Sequence, residues 1–321
     1  MMKAIKILFC LIWPGIVFFA VSGCDRNSGY IPVDFSAVAF ESRHEGEKRT
    51  PDQPAGRRAE SRPLRVAVAA MVSPKQTLMY YEDLLNYIGE KTGHEIVLIQ
   101  RKTYAEVNEL FLKDMIDLAF VCSGPYTSDA RVSGFEGLAT PVVRGEPYYR
   151  SYLIVQKASA YTSLEDLEGK VFAFTDPDSN SGALVPRFWL LQKNRNPAQF
   201  FDRVTYTYSH DNSILAVARG LVDGAAVDGH IWDYYQAKNP YFTAKTRVIK
   251  KSDPYGSPPL VASAFLDPHL KDDIQQIVLT MHTTEPGKQI LSSLMIDRFE
   301  LPQKAWYEAI RTMRAVVEQT R

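Results

Sequence analysis

The segment DPDSNSGALVP, residues 176–186, stands between a strand-like run, KVFAF (170–174), and a helix-like run, RFWLLQK (187–193). It concentrates turn-forming and hydroxyl-bearing residues at the point where a strand is followed by a helix. The first N–H groups of a helix lack intrahelical partners, and the helix dipole is positive at this end. Small polar residues here favour an anion site. The same residues can form an Asx turn and cap their own helix, so the segment alone leaves both interpretations open.

Strand–turn–helix units of the same kind precede this segment. Apolar runs typical of buried strands are LRVAVAAM (64–71), EIVLIQ (95–100) and IDLAFV (116–121). Thr103 and Glu106 have the spacing of a capping box, which places Tyr104 in the first turn of a helix. Repeated units of this type predict a parallel or mixed α/β sheet.

Taken in chain order, the elements predict an α/β protein with two lobes. The expected first lobe holds residues 63–153 and 258–321, and the second holds residues 154–257. Two extended runs, SYLIVQK (151–157) and LVASAF (260–265), are expected to cross between the lobes. Because ligands of open α/β sheets bind at the carboxyl ends of strands, the loops there should meet at a cleft between the lobes.

The N-terminus has the features of an export signal. A short basic start is followed by an apolar stretch of about 14 residues, which is too short to span a bilayer comfortably. It ends in VSGC (21–24), which resembles the lipobox of bacterial lipoproteins. The resemblance implies a signal peptide over residues 1–23 and a lipid on Cys24. An ordinary secretory signal with an incidental cysteine is the alternative.

Residues 24–62 are rich in Pro, Gly, Arg, Glu and Ser, which is typical of a flexible tether. As a random coil, such a segment spans roughly 35 Å. Asp25 resembles the signal that keeps lipoproteins at the inner membrane in some Gram-negative bacteria. We therefore expect a protein on the periplasmic side of a bacterial cell envelope, anchored to a membrane by its N-terminal lipid, with the inner membrane favoured.

Composition narrows the function classes further. The 321 residues carry 37 basic and 37 acidic side chains, and this zero net charge disfavours a nucleic-acid partner. Cys122 is the only cysteine that follows Cys24, so no internal disulfide is expected. No CxxC or HExxH pattern occurs, so we expect no metal site, and no motif indicates a cofactor.

Five segments carry a resemblance to a known family. They are DLAFVCSGPY (117–126), YYRSYLIV (148–155), SLEDLEGKVFAFTDPDSNSGALVP (163–186), SHDNSILAVARGLVDGAAVD (209–228) and GSPPLVAS (256–263). In this order they resemble the phosphate-, phosphite- and phosphonate-binding proteins of ABC importers. The resemblance implies a type II periplasmic-binding-protein fold, in which each lobe is a mixed sheet flanked by helices and two crossing strands join the lobes.

The resemblance implies that the DPDSNSG turn binds the ligand. In this family the hydroxyl and backbone N–H groups of the turn bind a phosphorus oxyanion, which implies Ser179, Asn180 and Ser181 here. Asn180 departs from the family, which more often has Thr at this position, and the departure bears on oxyanion preference. The SH segment implies that His210 contacts the ligand; a purely structural histidine is the alternative.

Tyrosines from the first lobe are further candidates. Tyr104 and Tyr149 match ligand contacts of the family, although a shift of one position would put Tyr148 in place of Tyr149. Tyr126, in the CSGPY segment, is a candidate at a cleft loop. Each could instead be a buried aromatic residue whose hydroxyl is satisfied elsewhere.

Asp228, at the end of LVDGAAVD, matches an acidic residue that takes a proton or hydrogen bond from the ligand. A carboxylate facing a fully ionised phosphate is repulsive, so Asp228 would favour a protonated oxyanion; capping of the next helix is the alternative. An ungapped count from His210 to the acid of aminoalkylphosphonate binders reaches His230, so an ammonium group would lack its partner. Cys122 is expected to be buried and inert; if it reached the ligand, a thiophilic oxyanion such as arsenite would become a candidate.

The leading hypothesis is a solute-binding lipoprotein of an ABC importer. As a monomer, it would capture phosphate, phosphite or a phosphonate by hinge closure and deliver it to a permease in the membrane. A sensor protein that presents an oxyanion to a membrane histidine kinase is the alternative. An enzyme built on Ser179, His210 and Asp228 is not expected, because no GxSxG elbow occurs and the resemblance assigns all three residues to binding.

Overall fold

A computed structural model of the protein describes residues 62–127 and 133–319, together with the backbone of Val38–Ala39. The predicted signal peptide (1–23) and the lipidation site Cys24 lie outside the described residues, as does most of the predicted tether. Within the described part, no helix combines the length and apolar character that a bilayer span requires.

Two mixed sheets and a short ladder contain the strands of the described residues. The strands are β1 (Val38–Ala39), β2 (Leu64–Val68), β3 (Ile96–Ile99), β4 (Leu118–Phe120), β5 (Phe135–Val142), β6 (Tyr148–Tyr149), β7 (Ser151–Gln156), β8 (Val171–Phe174), β9 (Arg203–Tyr206), β10 (Gly224–Asp228), β11 (Thr246–Lys251), β12 (Tyr255–Gly256), β13 (Leu260–Ser263) and β14 (Arg298–Glu300).

Helices cover the faces of both sheets. The α-helices are α1 (Pro74–Thr92), α2 (Tyr104–Leu112), α3 (Ser123–Tyr126), α4 (Val185–Gln192), α5 (Pro197–Phe200), α6 (His210–Ala218), α7 (Gly229–Lys238), α8 (Pro268–Thr280), α9 (Glu285–Ser293) and α10 (Glu308–Glu318).

The larger sheet has seven strands in the order β1-β3-β2-β4-β13-β5-β14. Strand β2 runs parallel to β3 and β4, whereas β13 is antiparallel to β4 and β5. The smaller sheet has five strands in the order β11-β7-β10-β8-β9, with β8 parallel to β9 and β10, and β7 antiparallel to β10. We call these sheets and the helices packed on them the first and second lobes. The predicted two-lobed α/β fold is confirmed.

The chain passes between the lobes at a two-stranded antiparallel ladder of β6 and β12, in which Tyr149 lies opposite Tyr255. The run SYLIVQK instead supplies β7 of the second sheet, and LVASAF supplies β13 of the first. The prediction of these runs as the crossing strands was therefore wrong by a few residues. Both are continuously apolar, and that pattern does not distinguish a buried sheet strand from a hinge strand.

Local sequence rules account for the helices that lead to the cleft. Pro74 is the first residue of α1, and Gly93 ends this helix with a left-handed φ of 71°, which glycine adopts without strain. Helix α2 begins with the predicted capping box: Thr103 accepts from the backbone N–H of Glu106, and the Glu106 side chain accepts from that of Thr103. These caps fix the start of α2 and hence the position of Tyr104, its first residue.

The last helix differs from the expected lobe boundary, which put residues 258–321 in the first lobe. The apolar face of α10, with Ile310 and Met313, packs in the core of the second lobe with Trp189 of α4. An amphipathic helix at the end of a chain buries its apolar stripe on whichever lobe it reaches, and its sequence does not specify which.

Candidate functional site

The DPDSNSG turn has a defined geometry between β8 and α4. The Asp176 carboxylate accepts from the backbone N–H of Asp178 at 2.9 Å, which forms an Asx turn. The Ser179 hydroxyl accepts from the N–H of Gly182 at 3.0 Å. Asn180–Leu184 then form a wide, π-helical turn that leads into α4. The helix-capping interpretation is thus correct for Asp176 and Ser179.

The next two side chains of the turn differ from Ser179 in their hydrogen bonding. Asn180 and Ser181 are fully buried, and within the described part of the chain Asn180 Oδ1, Ser181 Oγ and the hydroxyl of buried Tyr104 lack hydrogen-bond partners. A buried polar atom without a partner costs about 1–3 kcal/mol, so native proteins rarely keep one without a purpose. Three such atoms at one cleft are the arrangement expected of a polar ligand site.

Tyr149 joins this group through a hydrogen bond with the Asn180 amide, since Asn180 Nδ2 lies 2.9 Å from the Tyr149 hydroxyl. In either orientation of the amide, one of its polar atoms faces Tyr149 and the other is unpaired. Tyr149 is 1 % exposed, whereas Tyr148 is half-buried and packs edge-on against Trp306. The structure therefore brings Tyr149, and not Tyr148, to the turn.

His210 lies at the start of α6 and is almost completely buried. Its Nδ1 atom accepts from the backbone N–H of Asp228 at 3.1 Å and lies 3.2 Å from Thr175 Oγ1. Because Nδ1 is an acceptor, the ring proton of the neutral imidazole resides on Nε2. Burial lowers the pKa of His210 to about 3. His210 therefore offers an uncharged N–H donor at neutral pH.

Asp228 ends β10 and caps α7, where its Oδ1 accepts from the N–H groups of His230 and Ile231 at 2.7 and 3.3 Å. The capping alternative is thus correct for one of its oxygens. Burial raises the pKa of Asp228 to about 7, although the two N–H groups act in the opposite direction. The Asp228 carboxyl group lies within electrostatic reach of Tyr81, Tyr104, Tyr149 and Cys122.

Cys122 and Tyr126 lie at opposite ends of α3. The Cys122 thiol is buried beside the backbone N–H of Asn180, and burial raises its pKa to about 11, so it remains protonated at neutral pH. The Tyr126 ring packs against Tyr307 at 4.6 Å, and its hydroxyl lies against Gly137 of β5. The structure thus places Cys122 near the turn and directs Tyr126 away from it.

Sequence reasoning did not select Ser257, in the loop after β12. This residue is fully buried, and its hydroxyl is another polar atom without a partner in the described part of the chain. The neighbouring Gly256 carbonyl accepts from Ser123 Oγ of α3 at 2.7 Å. Ser257 lies in the segment GSPPLVAS, which carries part of the family resemblance, and this was the sequence signal that could have identified it.

Hydrogen bonds between the lobes close the cleft. The N–H of Tyr104 donates to the Asp176 carboxylate at 3.1 Å, and the N–H of Ser73 donates to the Asp211 carboxylate at 2.9 Å. The N–H of His210 donates to the Met71 carbonyl at 2.9 Å. The site is therefore assembled from both lobes in a closed arrangement.

Two mixed α/β lobes, a short hinge ladder and buried polar groups in the cleft define the class of periplasmic solute-binding proteins with the type II fold. A solved binding-protein component of an ABC phosphonate transporter from Pseudomonas aeruginosa shares this fold, with a TM-score of 0.76 and 24% identity over 81% of this chain and 88% of that one. PhnD1 from Prochlorococcus marinus, solved with methylphosphonate, gives a TM-score of 0.71 and 19% identity over 79% of this chain and 98% of that one.

The chain belongs to the family of periplasmic substrate-binding proteins of phosphonate ABC transporters, whose sequence profile matches residues 66–307. The phosphonates-binding periplasmic protein of Escherichia coli K12 is 27% identical over 246 residues, which are 75% of this chain and 72% of that protein. The phosphate-import protein PhnD of Mycolicibacterium smegmatis is 28% identical over 70% of this chain and 74% of that protein. The protein is a periplasmic component of an ABC transporter, and the sensor-kinase alternative gains no support.

Proposed function

We propose that the cleft captures a small phosphorus oxyanion, phosphate, phosphite or a phosphonate, for delivery to a membrane permease. The observation that carries this proposal is the set of buried, unpaired polar atoms on Tyr104, Asn180 and Ser181. We call these residues, with Tyr149 and His210, the cradle.

The cradle suits an anion although its members are uncharged. The hydroxyl groups and the His210 N–H can donate to an oxyanion. The Asn180 amide can donate its NH2 group as well, in the orientation in which its Oδ1 accepts from the Tyr149 hydroxyl. Hydrogen bonds to a charged ligand are about twice as strong as neutral ones. Because these side chains are buried, their positions change little when the ligand enters. The bound oxyanion and the Asp228 carboxylate do not repel each other when they share one proton.

Isothermal titration calorimetry of the full-length protein against phosphate, phosphite and methylphosphonate tests this proposal. We expect at least one of them to bind with a dissociation constant at or below about 1 μM, near −8 kcal/mol. His210→Ala should weaken that binding by roughly 10- to 100-fold, because a hydrogen bond to a charged group is lost. A folded protein that binds none of the three would contradict the proposal.

Asp228→Asn is expected to flatten the pH profile of affinity. With a pKa raised to about 7, Asp228 is protonated below this pH and donates to the oxyanion, whereas above it the ionised carboxylate repels the ligand. Affinity of the native protein should therefore fall as the pH rises through 7, by at most about tenfold per unit for one proton. The asparagine variant keeps a capping oxygen but has no proton to lose.

The buried tyrosines, cysteine and histidines around Asp228 do not titrate in this range. Burial raises the pKa values of Tyr81, Tyr104, Tyr149 and Cys122 and lowers those of His210 and His230. Calorimetry of both proteins with the same ligand between about pH 6 and 8 cancels the titration of the ligand itself. Parallel profiles would show that Asp228 does not control binding.

We also propose that the protein acts without turnover, as a monomer, and is anchored through a lipid on Cys24. The hydrogen bonds of Ser179, His210 and Asp228 support the absence of turnover. The backbone N–H of Asp228, not its carboxylate, bonds to His210, and the Ser179 hydroxyl accepts from the N–H of Gly182, so these bonds are not those of a catalytic triad. The VSGC segment supports the anchor, and intact-mass spectrometry of the exported protein tests it.

A further inference from the structure

A cavity of about 110 Å³ lies between the lobes and adjoins the cradle. Asp228 and His230 both line it. The backbone of Asp228 bonds to His210, and the His230 ring lies 6.1 Å from the ring of Tyr149. Through Asp228 and His230, the cavity therefore borders the proposed oxyanion site.

The walls of the cavity are mainly aromatic and aliphatic. Tyr80 and Tyr81 of α1 face it from the first lobe, and Tyr234 and Tyr235 of α7 face it from the second. Tyr80 and Tyr234 contact each other edge-on at 4.7 Å across the lobes. Valine, isoleucine, leucine and proline side chains supply most of the remaining wall. Ligand pockets with such walls hold apolar groups, and their few polar atoms fix orientation.

Charge in the cavity is restricted to its junction with the cradle. Asp228 and His230 are the acidic and basic side chains among its lining residues, which include no lysine, arginine or glutamate. Burial lowers the pKa of His230 to about 4, so this ring is neutral. Burial also disfavours the charged form of Asp228. No lining group is available to neutralise an ammonium or a second carboxylate deep in the cavity.

We propose that this cavity binds an uncharged hydrocarbon substituent, so that the substrate class is short-chain alkylphosphonates. The proposal rests on the oxyanion site proposed above and extends it. A volume of 110 Å³ corresponds to three or four groups of the size of a water molecule, at about 30 Å³ each, and thus to a chain of about three or four carbons. The substituent lies between the tyrosines of α1 and α7 and completes the contact between the lobes.

Isosteric phosphonates test the proposal by calorimetry on the full-length protein. We expect propylphosphonate to bind about 15-fold more tightly than methylphosphonate, because two further methylene groups leave water. We expect 2-aminoethylphosphonate, which has the same number of heavy atoms as propylphosphonate, to bind at least about tenfold more weakly than its uncharged counterpart, because its ammonium is buried without a carboxylate to neutralise it.

The outcomes separate the two proposals. Equal affinity for methyl- and propylphosphonate would overturn the hydrocarbon subsite and leave the oxyanion site intact, and so would 2-aminoethylphosphonate binding as tightly as propylphosphonate. Failure of every phosphonate and of phosphate to bind would overturn the oxyanion site and, with it, the subsite.

Two variants locate the effect in the cavity. Val143→Phe fills part of the volume and should abolish the advantage of propylphosphonate while changing methylphosphonate affinity less than about threefold; the same substitution at exposed Val204 on β9 is the matched control. His230→Glu places a carboxylate beside the cradle and should reverse the preference toward 2-aminoethylphosphonate by at least about tenfold. If Val143→Phe does not fold, as judged by its thermal transition, Ile296→Phe fills the cavity from another wall. An unchanged ratio of propyl- to methylphosphonate affinity in a folded filling variant would place the substituent elsewhere.

Discussion

The double variant Tyr104→Phe/Ser181→Ala is expected to lose at least about 100-fold in oxyanion affinity while keeping its stability. Each substitution removes one oxygen atom that is buried and lacks a protein partner. A hydrogen bond to a charged group contributes about 1.5–3 kcal/mol, so losing two of them weakens binding by about 3 kcal/mol or more. Removing an unpaired buried hydroxyl breaks no bond in the ligand-free protein, so the free energy of unfolding should remain the same or increase.

A matched control is Tyr87→Phe/Ser263→Ala. These hydroxyls are also buried in the first lobe, but each has a protein partner: Tyr87 contacts Thr284 at 3.2 Å, and Ser263 accepts from the N–H of Phe265 at 3.1 Å. The control should lose stability and keep its affinity. Calorimetry and chemical denaturation of both proteins give the two readouts. Retained affinity in the Tyr104/Ser181 variant would mean that the unpaired atoms do not meet the ligand.

Gly124→Ala is expected to hold the cleft open and to weaken ligand binding at least about tenfold. Gly124 lies in α3 of the first lobe, where an added Cβ would approach the Asp178 carbonyl of the second lobe to well under 3.0 Å. Both positions are constrained, Asp178 by its Asx turn and α3 by the bond from Ser123 to the Gly256 carbonyl. The methyl group therefore acts as a wedge between the lobes, and neither lobe has to unfold to admit it.

Small-angle scattering distinguishes this effect from simple destabilisation. With saturating ligand the native protein should contract, whereas the Gly124→Ala protein should keep a larger radius of gyration. Gly89→Ala is the control, since its added Cβ meets the His94 carbonyl at 2.9 Å within the first lobe alone. It should lower the unfolding temperature but allow closure. Ligand-induced contraction of Gly124→Ala equal to that of the native protein would refute the wedge.

Local chemistry allowed much of the fold to be predicted from the sequence. The capping box of Thr103 and Glu106 forms as its spacing predicts, and it places Tyr104 at the start of α2. Repeated strand–helix units predicted a parallel or mixed α/β sheet, because continuous apolar runs demand burial on both faces. The resemblance implied one mixed sheet in each lobe. The packing of α10 on the second lobe could not be predicted, since it depends on which apolar surface the last segment meets.

For the site as well, some positions could be predicted from the sequence and others could not. The resemblance pointed to the turn, to Tyr104 and to His210, and the structure places them around one cleft. Periodicity could not decide between Tyr148 and Tyr149, because adjacent strand residues face opposite sides and the register was unknown. The sequence also did not show which way Tyr126 points. It stands at the end of the four-residue helix α3 opposite Cys122, and its ring packs against Tyr307 instead of facing the turn. The cavity was invisible in the sequence, since its walls come from segments far apart along the chain.

The position of α10 has a mechanical consequence. After β14 of the first lobe, the chain passes a further time to the second lobe to form this helix, so three covalent connections join the lobes. Tyr307 lies at the third connection: its hydroxyl is 2.8 Å from Thr140 Oγ1 of β5 and donates to the Ser257 carbonyl beside the hinge ladder at 2.9 Å. The third connection adds a covalent constraint to the hinge beyond its two strands. It should therefore restrict twisting of one lobe against the other during capture and release.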